Sequence, residues 1–141
     1  MKVSARNVFA GTVAAITTGA VNSEVVLTLA GGAQVVSVVT NGAVANLGLA
    51  AGKNAYAIVK ASSVIIATDV KADKISARNT LTGKVARIVD GPVSAEVDIE
   101  IADGTAVSAV ITHGSVKSLG LAVGGTATAI IKASNVILAV D

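Results

Sequence analysis

The sequence predicts a mainly β protein in which one unit, of five strands and a short helix, is used twice. Three observations support this fold class. Residues 2–69 align with residues 74–141 at a constant offset of 72, without a gap, and about half of the positions are identical. Branched apolar residues alternate with polar ones in short runs, as in half-buried strands. Turns rich in glycine separate these runs, as expected in a small barrel or sandwich.

The repeat is clearest in three short segments that both copies keep. Residues 4–7 (Ser-Ala-Arg-Asn), 47–50 (Leu-Gly-Leu-Ala) and 60–62 (Lys-Ala-Ser) return as residues 76–79, 119–122 and 132–134. Residues 70–73 are left over as a joint. We therefore predict a first domain at residues 2–69 and a second at residues 74–141, with the function in what both copies keep.

The composition predicts an obligate homo-oligomer. The chain is 52% hydrophobic with a mean hydropathy of +0.75, yet it has one Phe, one Tyr and no Trp. A unit of this size buries only about 60% of the surface that its unfolded chain exposes. Two such small units leave aliphatic surface uncovered, and large exposed apolar patches usually mark interfaces.

Composition also excludes several classes of protein. Cysteine is absent, so disulfides, thiolate metal sites and thiol catalysis are excluded. The net charge is +2 with Lys and Arg scattered, whereas nucleic-acid binding needs a basic stripe. The charge-free run at residues 25–52 is long enough to span a bilayer, but glycine and amide residues interrupt it. The N-terminus lacks a signal-peptide core, so we expect a cytoplasmic protein with no membrane or nucleic-acid partner.

The first three strands of each copy form a long strand followed by a hairpin. The long strands are predicted at residues 8–18 and 80–90, and a glycine inside each, Gly11 or Gly83, predicts a bulge or sharp bend. The hairpin strands are predicted at 24–30 and 35–40, and at 96–102 and 107–112. In the second copy the sequence Asp103-Gly104 indicates a tight turn that needs positive φ.

The remaining elements complete a small barrel. Leucine and valine at helical spacing, followed by glycine, predict short helices at residues 42–49 and 114–121. Fourth strands are predicted at 55–60 and 126–132, and fifth strands at 64–68 and 136–140, with the Lys-Ala-Ser turn between them. Five strands with one helix between the third and fourth predict two tandem OB-like five-stranded barrels.

Catalysis is weakly supported. The single histidine, His113, is Asn41 in the first copy, so we interpret it as an exposed loop residue. Glu96, Asp98 and Glu100 fall on one strand face, where they would repel one another, and we interpret them as a solvated surface. No phosphate-binding glycine loop is present. We predict a protein that is not an enzyme.

Both copies keep a set of hydrogen-bond donors at strand ends and turns. They are Ser4, Arg6, Thr40, Lys60 and Ser62, repeated as Ser76, Arg78, Thr112, Lys132 and Ser134. Arg and Lys only donate, and hydroxyls and backbone N–H groups can donate. Such a set suits a deprotonated tetrahedral oxyanion with two negative charges. The alternative is that Ser-Ala-Arg-Asn is only the start of a strand, with its arginine on the surface, and that Lys-Ala-Ser is only a turn between strands.

The Ser-Ala-Arg-Asn and Lys-Ala-Ser segments of each copy are about 55 residues apart, with Leu-Gly-Leu between them. In this pattern each copy resembles the Mop-type molybdate-binding domain, a TOBE or OB-like domain. Their tandem arrangement resembles the molbindin family of small cytoplasmic molybdate-storage proteins. The resemblance covers essentially the whole chain, twice. It implies a trimer of tandem chains that holds molybdate, or the similar dianion tungstate, between subunits.

The resemblance also implies a residue set for each site. One side would come from Ser4 and Arg6, or from Ser76 and Arg78. The other would come from Thr40, Lys60, Ala61 and Ser62, or from Thr112, Ser115, Lys132, Ala133 and Ser134. Ser115 has no counterpart in the first copy, where the residue is Ala43, so sites that draw on that copy are expected to be weaker. The turns at residues 19–22 and 91–94 are candidates for a second kind of site near the symmetry axis.

A different function remains open on composition and fold. OB-like barrels also serve as structural modules or bind single-stranded nucleic acid, commonly by stacking bases on aromatic rings. An aromatic content of 1% leaves little to stack on.

Overall fold

The secondary structure follows the sequence prediction closely. A computed structural model describes residues 1–102 and 104–141. The elements are β1 (Asn7–Thr18), β2 (Asn22–Leu29), β3 (Gln34–Thr40), α1 (Asn41–Leu47), β4 (Asn54–Val59), β5 (Ile65–Ala67), β6 (Asn79–Asp90), β7 (Ser94–Ala102), β8 (Thr105–Thr112), α2 (His113–Ser118), β9 (Thr126–Ile131) and β10 (Ile137–Ala139), with 3₁₀ turns at Ala61–Ser63, Ala72–Lys74 and Ala133–Asn135. The strands agree with the prediction to within two residues at each end.

The strands form two antiparallel sheets of five. Sheet 1 has the order β10-β4-β1-β2-β3, and sheet 2 has the order β5-β9-β6-β7-β8. The last strand of each sequence copy therefore lies in the sheet built by the other copy. The chain divides into compact units accordingly, with residues 1–60 and 132–141 in unit 1 and residues 61–131 in unit 2. The boundaries at 2–69, 70–73 and 74–141 describe the repeat in the sequence, whereas the compact units exchange the copies' last strands.

Each sheet curls around its own core. In β2 the residues Ser23, Val25, Leu27 and Leu29 are buried and their neighbours are not, which is the alternation that the sequence predicted. The edge strands β10 and β3 of sheet 1 approach each other, as do β5 and β8 of sheet 2. The prediction of a mainly β chain with two OB-like five-stranded barrels and one short helix in each is confirmed, because the structure has two curled five-stranded sheets and two helices.

Of the bulge or sharp bend predicted at Gly11 and Gly83, the bulge occurs further along each strand. The register of β1 against β2 shifts between Val13 and Ala15, and that of β6 against β7 shifts between Val85 and Arg87. Each glycine lies three residues before the bulge, where the neighbouring backbone approaches closely. A Cβ on Gly11 would lie 2.8 Å from the carbonyl oxygen of Thr28. The glycines are thus needed for close strand approach.

The hairpin turns agree with the sequence where the structure describes them. Gly31 and Gly32 have φ angles of 92° and 94°, and Gly104 has a φ of 77°. The predicted turn residue Asp103 lies outside the described residues. No helix in the described part of the chain has the length and apolar content needed to cross a bilayer.

The acidic face of β7 is paired rather than merely solvated, which corrects the expected repulsion. The Arg87 guanidinium lies 3.3 Å from a Glu96 carboxylate oxygen and 3.5 Å from one of Asp98. The Ser108 hydroxyl also donates to Asp98 over 2.7 Å. The first copy has Ala15 in place of Arg87 and Val26 in place of Asp98, so this charged face belongs to unit 2 alone.

The close approach at Gly83 gives a test of the fold. In Gly83→Ala the new Cβ overlaps the carbonyl oxygen of Glu100, so the strands must separate. We expect the free energy of unfolding to fall by about 1–3 kcal/mol, as for other overpacked sites, measured by urea denaturation. Gly114→Ala is the control, because a Cβ there meets nothing within 4 Å. Equal stability of the two variants would contradict the close approach.

Candidate functional site

The predicted site residues lie at strand ends, as the sequence indicated. Thr40 ends β3 and Thr112 ends β8, and each is the N-cap of the helix that follows. Lys60 and Lys132 directly follow β4 and β9. Ser4 and Arg6, like Ser76 and Arg78, precede the first strand of their copy and are exposed.

The helix cap uses the hydroxyl oxygen of each threonine and not its proton. The Thr40 Oγ1 accepts the backbone N–H of Ala43 over 3.1 Å, and the Thr112 Oγ1 accepts that of Ser115 over 3.1 Å. A hydroxyl oxygen that accepts a hydrogen bond can still donate its proton. The cap therefore orients each hydroxyl without using its donor.

The second copy adds a hydroxyl that the first copy lacks. The Thr112 and Ser115 hydroxyl oxygens lie 2.7 Å apart, so one donates to the other. One proton of the pair remains for an external acceptor while this bond persists. In the first copy Ala43 replaces Ser115, and Thr40 acts alone.

The Lys-Ala-Ser segments lead into 3₁₀ turns at the sheet edge. Lys60, Ser62, Lys132 and Ser134 are exposed, whereas Ala61 is 8% exposed. Among the described residues, no hydrogen bond or ion pair involves the side chains of these lysines and serines. The alanines lack a polar side chain, so they can contribute to a site only through their backbone.

The strand exchange changes which residues meet. The turn Ala133–Asn135 packs against β3 in unit 1, and the turn Ala61–Ser63 packs against β8 in unit 2. Within unit 1, the strand that ends at Thr40 therefore contacts the segment that follows Lys132, which belongs to the other copy. The sequence did not indicate this contact, because a repeat alone cannot show that its copies exchange strands.

One buried hydrogen bond fixes this arrangement in unit 1. The Ser37 hydroxyl, on β3, donates to the carbonyl oxygen of Val136 over 2.7 Å, and Ser37 is fully buried. Val136 directly follows the turn Ala133–Asn135. The position equivalent to Ser37 in unit 2 is Ala109, so the bond has no counterpart there.

Arg6 and Lys60 lie at the same end of sheet 1. Asn7 pairs with Val59 as the last step of the ladder between β1 and β4, and the Asn7 amide donates to the Val59 carbonyl over 3.2 Å. Both residues point inward, at 1% and 0% exposure. Arg6 precedes Asn7 and Lys60 follows Val59, so both residues lie just beyond this pair. The register repeats in sheet 2, where Asn79 pairs with Ile131.

The interpretation of His113 as an exposed loop residue was wrong. His113 is the first residue of α2, is half-buried, and places its Nδ1 2.7 Å from a carboxylate oxygen of Asp90. Sequence reasoning missed this role, and it also missed Asn41 and Ser37. The available signal was position, because Asn41 and His113 each follow a threonine that both copies keep.

A cleft in unit 1 lies away from these residues. It has a volume of about 850 Å³ and lies between β1, β2 and β4, lined among others by Thr12, Lys53 and Tyr56. The Lys53 ammonium already donates to the Leu47 carbonyl over 2.9 Å. The Tyr56 hydroxyl donates to Asp141 over 2.9 Å, and that bond and the carboxylate charge raise the pKa of Tyr56. None of the predicted site residues lines this cleft.

Comparison with known proteins gives a consistent family. The TOBE domain model matches twice, at residues 3–66 and 75–138. The chain is 45% identical over 139 residues to the molybdenum-pterin-binding protein MopA of Rhodobacter capsulatus, covering 99% of this chain and 52% of MopA. It is 43% identical over 141 residues to the molybdenum transport protein ModE of Herbaspirillum seropedicae, covering 100% of this chain and 52% of ModE. The chain thus spans about half the length of these relatives.

A solved structure matches the whole chain. The cytoplasmic molybdate-binding protein ModG, crystallised with molybdate bound, superposes with a TM-score of 0.96 at 50% sequence identity, covering 100% of both chains.

The buried bond of Ser37 gives a second test. Ser37→Ala leaves the Val136 carbonyl without its donor, so we expect a loss of about 1–3 kcal/mol in the free energy of unfolding, measured by urea denaturation. Ser94→Ala, at an exposed position, should change it by less than about 0.5 kcal/mol. Wild-type stability in Ser37→Ala would show that the bond does not hold the exchanged segment.

Proposed function

The chain belongs to the TOBE domain family, and from that premise we propose that it is a non-enzymatic molybdate-binding protein. In this proposal each ion is held by donors from two subunits of a homo-oligomer. The similarity to ModG, which binds molybdate, supports the choice of ion. The named relatives MopA and ModE are likewise described by molybdenum binding or transport.

The observation that carries the proposal is the contact between β3 and the turn Ala133–Asn135 in unit 1. Thr40 ends β3, and Lys132 directly precedes the turn. The Thr40 hydroxyl and the Lys132 ammonium can both donate, so a dianion beside them would accept from a neutral and from a charged group. Charge-assisted hydrogen bonds to an oxyanion are the stronger kind.

The rest of the donor set suits a fully deprotonated oxyanion. The helix cap uses the Thr40 hydroxyl oxygen and not its proton, and Ser134 and Lys132 are exposed in the segment next to β3. A set made of donors leaves the O–H of a protonated phosphate unpaired, which costs binding energy. Molybdate and tungstate are dianions of similar shape, so we propose that both bind.

The strand exchange defines two classes of site in this proposal. One class contains Thr40 with Lys132, Ala133 and Ser134. The other contains Thr112 and Ser115 with Ala61, Ser62 and the preceding Lys60. A neighbouring subunit would complete each class with a segment that carries Ser4 and Arg6, or Ser76 and Arg78.

Exposed apolar residues support the homo-oligomer. Val21 and Val93, which are equivalent in the two copies, are 71% and 79% exposed, and the equivalent pair Ile65 and Ile137 is 55% and 56% exposed. Matching exposed apolar positions in both copies favour burial against further copies of the chain. We propose a trimer, as the resemblance to the molbindin family implies.

The proposed role is storage and homeostasis of molybdate in the cytoplasm. ModG, which matches the chain over its full length, is a cytoplasmic protein. Neither a nucleic acid nor a membrane is a partner in this proposal, in keeping with the scattered charge of the sequence.

Ligand binding should stabilise the protein. Molybdate at 100 times its Kd should add about 2.7 kcal/mol per site to the folded assembly, and so raise the melting temperature measured by differential scanning fluorimetry. We expect this rise to disappear in the double variant Arg6→Ala/Arg78→Ala. Lys71→Ala, in the joint, is the control and should keep it.

Equilibrium dialysis separates the candidate anions. Molybdate and tungstate should be retained, with phosphate retained at least about tenfold more weakly because its O–H lacks an acceptor. Sulfate, a smaller dianion, tests whether the proposed site selects its anion by size. Absence of molybdate retention by the wild-type protein would disprove the proposed function.

The assembly itself can be measured. Light scattering coupled to size exclusion should give three times the chain mass of 13.7 kDa. Val21→Asp and Val93→Asp together should shift the mass toward the monomer, because charges would be buried at the interface. A wild-type monomer that binds molybdate normally would contradict sites shared between subunits.

A further inference from the structure

The residue after each cap threonine connects the start of its helix to the turn that follows the long first strand of the same copy. The backbone N–H of Asn41 donates to the Val21 carbonyl over 2.9 Å, and that of His113 donates to the Val93 carbonyl over 3.0 Å. The same backbone bond thus occurs in both copies, although the residues differ.

The side-chain ties at these two positions are chemically different. The Asn41 amide donates to the Gly19 carbonyl over 2.9 Å and accepts the Ser23 hydroxyl over 2.6 Å. In the second copy, His113 Nδ1 lies 2.7 Å from Asp90. The positions equivalent to Asp90 and Ser23 are Thr18 and Ala95, so each copy has the complete partner set for its own tie.

The helices need these ties because packing holds them only weakly. Helix α1 has no buried residue, and Val116 is the only buried residue of α2. A helix of two turns is also unstable by itself. The direction of the helix sets the direction of the backbone N–H group that donates to the cap threonine. That bond in turn sets the direction in which the threonine hydroxyl can donate its own proton.

From this geometry we propose that Asn41 and His113 are positioning residues for the oxyanion sites. They fix the orientation of the Thr40 and Thr112 hydroxyls by connecting the start of each helix to the turn that follows β1 or β6. This inference rests on the proposed molybdate-binding function. In this inference the Asn41 amide orients Thr40 in one class of site. The His113–Asp90 pair orients Thr112 in the other class.

The first experiment is calorimetric titration of the whole protein with molybdate. Asn41→Ala should weaken the class of site that contains Thr40 by about tenfold, the lower end of the range for residues that orient ligands. The other class and the total number of ions bound should remain unchanged. Asn46→Ala, on the exposed side of the same helix, is the control and should bind as the wild type does.

The second experiment introduces the histidine–aspartate pair of the second copy at the equivalent positions of the first copy. Asn41→His alone should bind weakly, because Thr18 offers no carboxylate. The double variant Thr18→Asp/Asn41→His should restore the affinity to within about twofold of wild type, against the tenfold loss of the single variant. A residue needed only for stability would not be rescued by a different pair of side chains.

The reciprocal variant removes an ambiguity. Asn41→Ala also leaves the buried Ser23 hydroxyl without its partner, whereas His113→Ala does not, since residue 95 is alanine. His113→Ala should therefore weaken only the class of site that contains Thr112.

The outcomes are distinguishable. Wild-type affinity in both Asn41→Ala and His113→Ala would overturn the positioning role while leaving molybdate binding intact. Loss of affinity without rescue by the transplanted pair would also overturn it. A wild-type protein that takes up no molybdate in the titration would overturn the proposed function and this inference together.

Discussion

The constraint on which this structure depends is the pairing of each copy's last strand with the other copy's fourth strand. Strands β5 and β10 have three residues each, and they pair with β9 and β4. A sheet of four strands with an open edge buries its core poorly, and a single unit of this size is marginal by itself. The exchange makes the two copies depend on each other, and it brings the Lys-Ala-Ser segment that precedes each exchanged strand against a strand of the other copy.

The two copies differ at particular positions, and each unit combines parts of both copies. Ser37 holds Val136 in unit 1, whereas Ala109 occupies that position in unit 2. Arg87 pairs with the acidic face of β7 in unit 2, and its counterpart Ala15 faces Val26. The two classes of proposed site therefore have similar donors on different supports.

Much of this was readable from the sequence, for physical reasons. Strand limits follow from alternation and from glycine turns, and the repeat doubles the signal at every element. The cap threonines and the Lys-Ala-Ser segments stood out because both copies keep them. The exchange was not readable, because Ile65–Ala67 has the same apolar pattern whichever sheet it joins. The roles of Gly83 and His113 also depend on which backbone or carboxylate lies opposite, and sequence spacing does not contain that information.

The exposure of the donors bears on the proposed oxyanion binding. The lysines and arginines of the candidate sites are exposed, whereas a small-molecule site usually encloses most of its ligand. In water an exposed pair of such groups binds an ion weakly, because solvent screens the charges. The same donors bind strongly only when a second surface excludes the water and lowers the local dielectric. In the proposed function, binding of the oxyanion and association of the subunits would therefore be one equilibrium, in which each stabilises the other. A protein of that kind would take up and release its ion according to the ion's concentration, as the proposed storage of molybdate requires.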